Sequence, residues 1–154
     1  CTLCHSGPDF SNQAFHNLGL PVAEHRDTGR EQGLRRLAAS PFNAAGPYAG
    51  DQDDADRLRF LPPPESLRGA FKTPSLRNVA RTAPYFHDGR FATLEEAVRF
   101  YLEPPEGETL GEREGTLDLI PDLTDRQVAD LVAFLKTLDS APLPEAVTTP
   151  PEQR

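Results

Sequence analysis

Cys1-Thr2-Leu3-Cys4-His5 opens the chain and constrains it more than any other stretch. Two thiols three positions apart can each add to a vinyl group of haem, and the adjacent histidine is then placed to ligate the iron from the proximal side. The rival uses of a Cys-x-x-Cys pair are zinc binding and thioredoxin-like redox chemistry. Zinc would need two further ligands, and the chain has only 2 cysteines. A thioredoxin-like site would need a surrounding βαβ pattern, which the sequence lacks. Cys1 and Cys4 therefore read as covalent haem anchors and His5 as the proximal iron ligand. The chain contains no methionine, so the thioether ligand of ordinary electron-transfer cytochromes c cannot come from these residues.

At 154 residues the chain reads as one domain, or one domain with long loops. A hydrophobic fraction of 37% with 16 prolines describes a modest core and much irregular backbone. Such a chain gains from burying a haem, whose large apolar surface supplements the core. A net charge of −8 argues against nucleic acid or an anionic membrane as partner and weakly favours a basic one. No apolar run approaches the roughly 18–20 residues needed to cross a bilayer. Covalent haem attachment takes place outside the cytoplasmic membrane, so a periplasmic location is expected. The absence of an initiator Met and of a signal peptide then suggests a mature or truncated piece, with a partner segment upstream.

The haem-attachment segment runs from Cys1 to about Leu20. Asp27-Thr28-Gly29-Arg30 reads as a turn leading into a helix over Glu31–Ala39. Residues 40–69 are Pro/Gly-rich, with acidic Asp51, Asp53, Asp54 and Asp56, and read as a long surface loop with one short helical turn. The acidic cluster lacks the glycine and terminal glutamate of an EF-hand and reads as solvated surface. Two further helices carry capping boxes. Thr93 and Glu96 open one whose apolar face is Leu94, Ala97, Val98 and Tyr101. Thr124 and Gln127 open the other, with Leu123 and Val128 placed for a hydrophobic staple and a stripe of Val128, Leu131, Val132, Leu135 and Leu138. The domain is predicted to span 1–138. The Pro-rich tail over 139–154 is predicted to be disordered.

The distal iron ligand is open at this level. The candidates are His16, His25, His87, Tyr48, Tyr85 and Tyr101. His25 and Tyr48 lie in polar or Gly/Pro-rich loops, and His16 reads as a structural hydrogen bonder. A Tyr101 hydroxyl facing the core needs a partner, either backbone or iron. His87, between Phe86 and Asp88-Gly89, can equally ligate or fix a turn. Arg77 and Lys72, flanked by apolar residues, are expected to pair with haem propionates.

Phe71-Lys-Thr-Pro-Ser-Leu-Arg-Asn-Val79 and Thr82-Ala-Pro-Tyr-Phe-His-Asp-Gly89 make the chain recognisable. With Cys-x-x-Cys-His-Ser-Gly-Pro8 and Phe15-His-Asn-Leu-Gly19 upstream, and Thr93-Leu-Glu-Glu-Ala97 downstream, it resembles the bacterial di-haem cytochrome c peroxidase/MauG family. The resemblance is to the C-terminal haem domain, from Cys1 to about Leu138, and is poorest over 40–69. It implies an all-α, cytochrome c-like haem domain with long irregular loops, one haem c here and a second in an N-terminal haem domain, where peroxide would bind.

In the peroxidase branch the distal ligand is a Met on the helix after the Pro-Tyr-Phe-His-Asp-Gly stretch. The matching position here is Tyr101, as in the MauG-like branch, which leaves His87 a structural or electron-relay role. A phenolate ligand would favour oxidised iron. The resemblance also implies Ca²⁺ between domains, held partly by backbone carbonyls at Thr82 and Pro84.

The activity implied is an oxidoreductase that takes oxidising equivalents from hydrogen peroxide and exchanges them with a protein substrate. The alternatives are a peroxidase served by a small redox-protein donor and a mono-haem electron carrier. No catalytic residue is assigned within this half.

Overall fold

The computed structural model describes residues 1–22, 27–50 and 56–148. His25, Asp51, Asp53 and Asp54 lie outside the described residues.

Among the described residues helices are the main regular elements, but they are few and short. They are α1 (Arg30–Ala39), α2 (Leu94–Arg99), α3 (Asp125–Lys136) and α4 (Glu145–Thr148), with 3-10 turns between them. One short strand pair accompanies the helices. Phe15–His16 (β1) and Phe71–Lys72 (β2) pair antiparallel, Phe15 opposite Lys72 and His16 opposite Phe71. Pro74 keeps the residue before it extended at the end of β2, and the backbone groups of the two segments satisfy one another.

Both capping boxes form. Thr93 Oγ1 accepts from Glu96 N at 3.2 Å, and Glu96 Oε2 accepts from Thr93 N at 2.8 Å. Thr124 Oγ1 accepts from Gln127 N at 3.3 Å, and Gln127 Oε1 accepts from Thr124 N at 2.9 Å. α1 has no side-chain cap; its entry is Gly29 at φ 65, where an added Cβ would lie 2.4 Å from Ala70 O. α2 stops at Arg99, so Tyr101 sits on the turn just beyond it, its N–H donating to Val98 O at 3.1 Å.

The core is small because it lines a cavity rather than filling one. Val79, Leu94, Leu135 and Leu138 form its buried centre, with Phe10, Leu76, Tyr85, Val98 and Val132 packed on them. Val128 is the most completely buried side chain, at 1% exposure, and anchors the α3 stripe.

The 40–69 loop differs from expectation in holding two 3-10 turns, Asp56–Phe60 and Pro64–Leu67. The second packs on α1. The described part of the tail, residues 139–148, makes contacts with the domain. Ser140 N–H and Oγ both donate to Asn78 Oδ1, at 2.7 and 2.9 Å, Arg81 pairs with Asp139 at 2.8 Å, and α4 follows. Asn78 can do this because it adopts the left-handed conformation, φ 60, which asparagine tolerates.

Candidate haem site

The Cys1–His5 segment is wound into a turn. Cys4 N–H and His5 N–H both donate to Cys1 O, at 3.2 and 2.8 Å. That winding brings Cys1, Cys4 and His5 to the wall of one apolar cavity of about 430 Å³. Both thiols are free, Cys1 exposed and Cys4 half-buried. Burial, and then the charge of Glu114, push the Cys4 thiol up, so it rests as S–H.

His5 is oriented by backbone carbonyls, Phe10 O foremost and Pro74 O beside it. Its Nδ1 lies 2.9 Å from Phe10 O. A carbonyl only accepts, so Nδ1 carries the proton and Nε2 keeps its lone pair. Burial lowers the His5 pKa, which favours the neutral, ligating form.

The 71–77 segment clamps this turn from the other side. Beyond the β ladder, Thr73 N–H donates to Ala14 O at 2.9 Å, Ser11 Oγ to Thr73 O at 2.8 Å and Ser75 Oγ to Asp9 O at 2.6 Å. Arg77 belongs to the clamp. Its Nε and Nη2 donate to Pro8 O at 2.9 and 2.7 Å, and its guanidinium lies 5.0 Å over the Phe10 ring. Arg77, expected at a propionate, is not among the residues lining the cavity, whereas Lys72 is. Its local partners already meet the geometry of a planar guanidinium.

The remaining candidates separate by their hydrogen bonds. Tyr85 lines the cavity, but its hydroxyl donates to Val79 O at 3.1 Å. His16 lines it too, with both ring nitrogens engaged by Asn12 and Glu114 at 3.0 Å each. Tyr48 is exposed and stacks on Phe42, centroids 5.0 Å apart. His87 and Tyr101 line the cavity, and neither makes a side-chain hydrogen bond among the described residues. His87 lies flat on Phe71, centroids 3.6 Å apart, and burial lowers its pKa.

Tyr101 is packed by an aromatic cluster. Phe100 meets it edge-on at 5.4 Å and Phe86 lies 6.0 Å away. Phe86 holds a left-handed backbone, φ 68, to present its ring to Phe91, Phe100 and Tyr101. Burial, with a smaller effect from Cys4, pushes the Tyr101 phenol up to about 12.

Thr82 and Pro84 also line this cavity. Among the described residues no cluster of three or more His, Cys, Asp or Glu side chains could hold a metal ion. A Ca²⁺ at Thr82 and Pro84 would therefore depend on backbone oxygens. Leu18, Leu20, Thr116, Leu117 and Ile120 complete the wall and were not foreseen from the sequence. Thr116 and Leu117 lie in a 3-10 turn, Gly115–Leu119, with no apolar periodicity to mark it.

The donor set fits a covalently bound haem: two free thiols, one imidazole whose Nδ1 is held by Phe10 O, a phenol without a hydrogen bond among the described residues, and apolar walls. No family model matches the chain. A cytochrome-c peroxidase of Denitromonas iodatirespirans, IdrP1, is 37% identical over 144 residues, covering 90% of this chain and 36% of the relative. The methylamine utilization protein MauG of Methylorubrum extorquens is 31% identical over 154 residues, covering 97% of this chain and 33% of its own length.

The chain belongs to the bacterial di-haem cytochrome c peroxidase/MauG family.

Solved structures of the family agree in fold. A MauG-like protein associated with microbial copper homeostasis superposes with a TM-score of 0.55 at 33% identity, covering 92% of this chain and 42% of that one. The diheme peroxidase BthA from Burkholderia thailandensis gives 0.57 at 25% identity, covering 92% and 39%. The chain spans about a third of the length of the two curated relatives.

Proposed function

We propose that this chain is the C-terminal haem domain of a MauG-like di-haem peroxidase, in which His5 and Tyr101 are the axial ligands of a c-type haem. The observation that carries this reading is the shared cavity wall. Cys1, Cys4, His5 and Tyr101 line one apolar space, and Tyr101 makes no side-chain hydrogen bond among the described residues. When bound, the haem supplies a one-electron redox centre.

The chain's residues have separable tasks. Cys1 and Cys4 anchor the group, and Phe10 O holds the His5 proton on Nδ1 so that Nε2 can ligate. Tyr101 gives up its hydroxyl proton only where a cation compensates the charge, because burial, with a smaller push from Cys4, holds the phenol up to about 12. A bound phenolate favours the oxidised metal, which suits a centre that stores oxidising equivalents. The aromatic cluster of Phe86, Phe91 and Phe100 keeps Tyr101 in place and excludes water. Lys72, on the cavity wall, is the cation suited to a propionate.

The whole protein would reduce hydrogen peroxide at a haem in an N-terminal haem domain and exchange the oxidising equivalents with a protein substrate or redox-protein donor. A periplasmic location follows from covalent haem attachment. No helix among the described residues is long and apolar enough to cross a membrane. Ca²⁺ at Thr82 and Pro84 belongs to the same proposal, as does an electron-relay role for His87 beside Phe71.

Resonance Raman tests the ligand set. Excitation into a phenolate-to-iron charge-transfer band should enhance tyrosinate ring modes in the oxidised protein. The same modes should vanish in Tyr101→Phe. Tyrosinate modes persisting in that variant, or never appearing in the native protein, would remove Tyr101 from the iron.

A further inference from the structure

His16 lines the haem cavity from β1, but both its ring nitrogens point to protein partners. Nε2 lies 3.0 Å from Asn12 Nδ2, and Nδ1 lies 3.0 Å from Glu114 Oε2. The Asn12 amide is oriented independently. Its Oδ1 accepts from Ala14 N–H at 3.0 Å, and its Nδ2 donates to Leu3 O at 3.3 Å. With the NH₂ facing His16, Nε2 must accept, so the proton is on Nδ1 and is donated to Glu114. The imidazole is thus fixed in one neutral tautomer, between an amide and a carboxylate.

The far ends of this chain of bonds are both anchored. Asn12 N–H donates to Cys4 O at 2.7 Å, tying the chain to the haem-attachment turn. Glu114 N–H donates to Asn17 O at 2.8 Å, tying it to the strand that carries His16. The hydrogen bond from His16 holds the Glu114 carboxyl below its usual range, so it is charged at neutral pH. Its carboxylate stands one side chain behind the cavity, since Oε2 lies 3.0 Å from Nδ1 of His16, which lines the wall, as does Thr116 two residues on.

We propose that Glu114 and His16 form a positioning pair that locks the Cys1–Cys4 turn through Asn12 and sets a negative charge beside the haem cavity, holding the haem's reduction potential down. Nothing in the ligand set requires this charge. It acts on the iron as an outer partner, as the groups behind metal-bound histidines do.

This inference rests on the reading that the cavity holds haem, and the two fail differently. Haem-loaded protein is titrated electrochemically as wild type, Glu114→Gln and Glu114→Asp. Gln keeps an oxygen for the His16 Nδ1–H but removes the charge, so the midpoint potential should rise while the oxidised protein's EPR signal stays the same. Asp keeps the charge and should stay near the wild-type potential. An unchanged potential in Glu114→Gln would overturn the proposal and leave Glu114 a loop tie. The ¹⁵N shifts of the His16 ring in the reduced wild-type protein supply a check that needs no variant. A protonated Nδ1 and bare Nε2 are expected, and a protonated Nε2 would overturn the arrangement. A wild-type protein with no haem absorbance would overturn the haem reading itself.

Discussion

His5 Nδ1 donates to Phe10 O at 2.9 Å, and Phe10 in turn lies under the guanidinium of Arg77 at 5.0 Å. The His5 imidazole is therefore oriented by a carbonyl whose own residue is pinned from 67 positions further along the chain. This makes the Thr73–Arg77 stretch part of the proximal side of the site, although Arg77 itself never reaches the cavity.

Arg77→Ala should accordingly act on stability. Loss of two charge-assisted hydrogen bonds on an exposed side chain is expected to cost about 1–2 kcal/mol. Denaturant unfolding of the haem-loaded protein measures it. A shifted midpoint potential with unchanged stability would instead restore Arg77 to a propionate.

Tyr101→Met should raise the midpoint potential, because a neutral thioether loses the phenolate's preference for oxidised iron. Spectroelectrochemical titration beside the wild type reads the direction. A potential at or below the wild-type value would mean that Tyr101 contributes no charge to the iron.

Stability should fall on mild acidification through His87. Burial lowers its pKa below the ordinary 6.5, so the unfolded chain binds the proton first. This contribution is complete above that value and is lost as the pH drops through the folded-state pKa. Unfolding midpoints measured from neutral to mildly acid pH should decline in the wild type and decline less in His87→Gln.

Thr124→Ala removes the acceptor for the Gln127 N–H and should cost about 1 kcal/mol, with Thr124→Ser restoring most of it. Val128→Ala should cost more, about 2 kcal/mol, because the side chain is 1% exposed and its space cannot readily collapse. Urea midpoints at constant m-value check both.

What was legible in the sequence was local. The two capping boxes form because Thr93 with Glu96, and Thr124 with Gln127, need only one another. The haem motif is equally self-contained. What was not legible depends on distance along the chain. His16 meets Glu114 across 98 positions, and the β ladder joins residue 15 to residue 72, without any local pattern to announce either. The contacts of Arg77 were not legible for the same reason: its partners, Pro8 O and the Phe10 ring, lie 69 and 67 positions back along the chain. Composition equally cannot show that Asn78 and Arg81 capture Ser140 and Asp139.

Low-temperature EPR of the oxidised protein beside Tyr101→Phe tests the central claim most directly. A six-coordinate low-spin signal in the wild type, giving way to high-spin iron in the variant, is expected if Tyr101 and His5 share the haem. An identical spectrum from both proteins would contradict it and pass the distal position to His87 or to water.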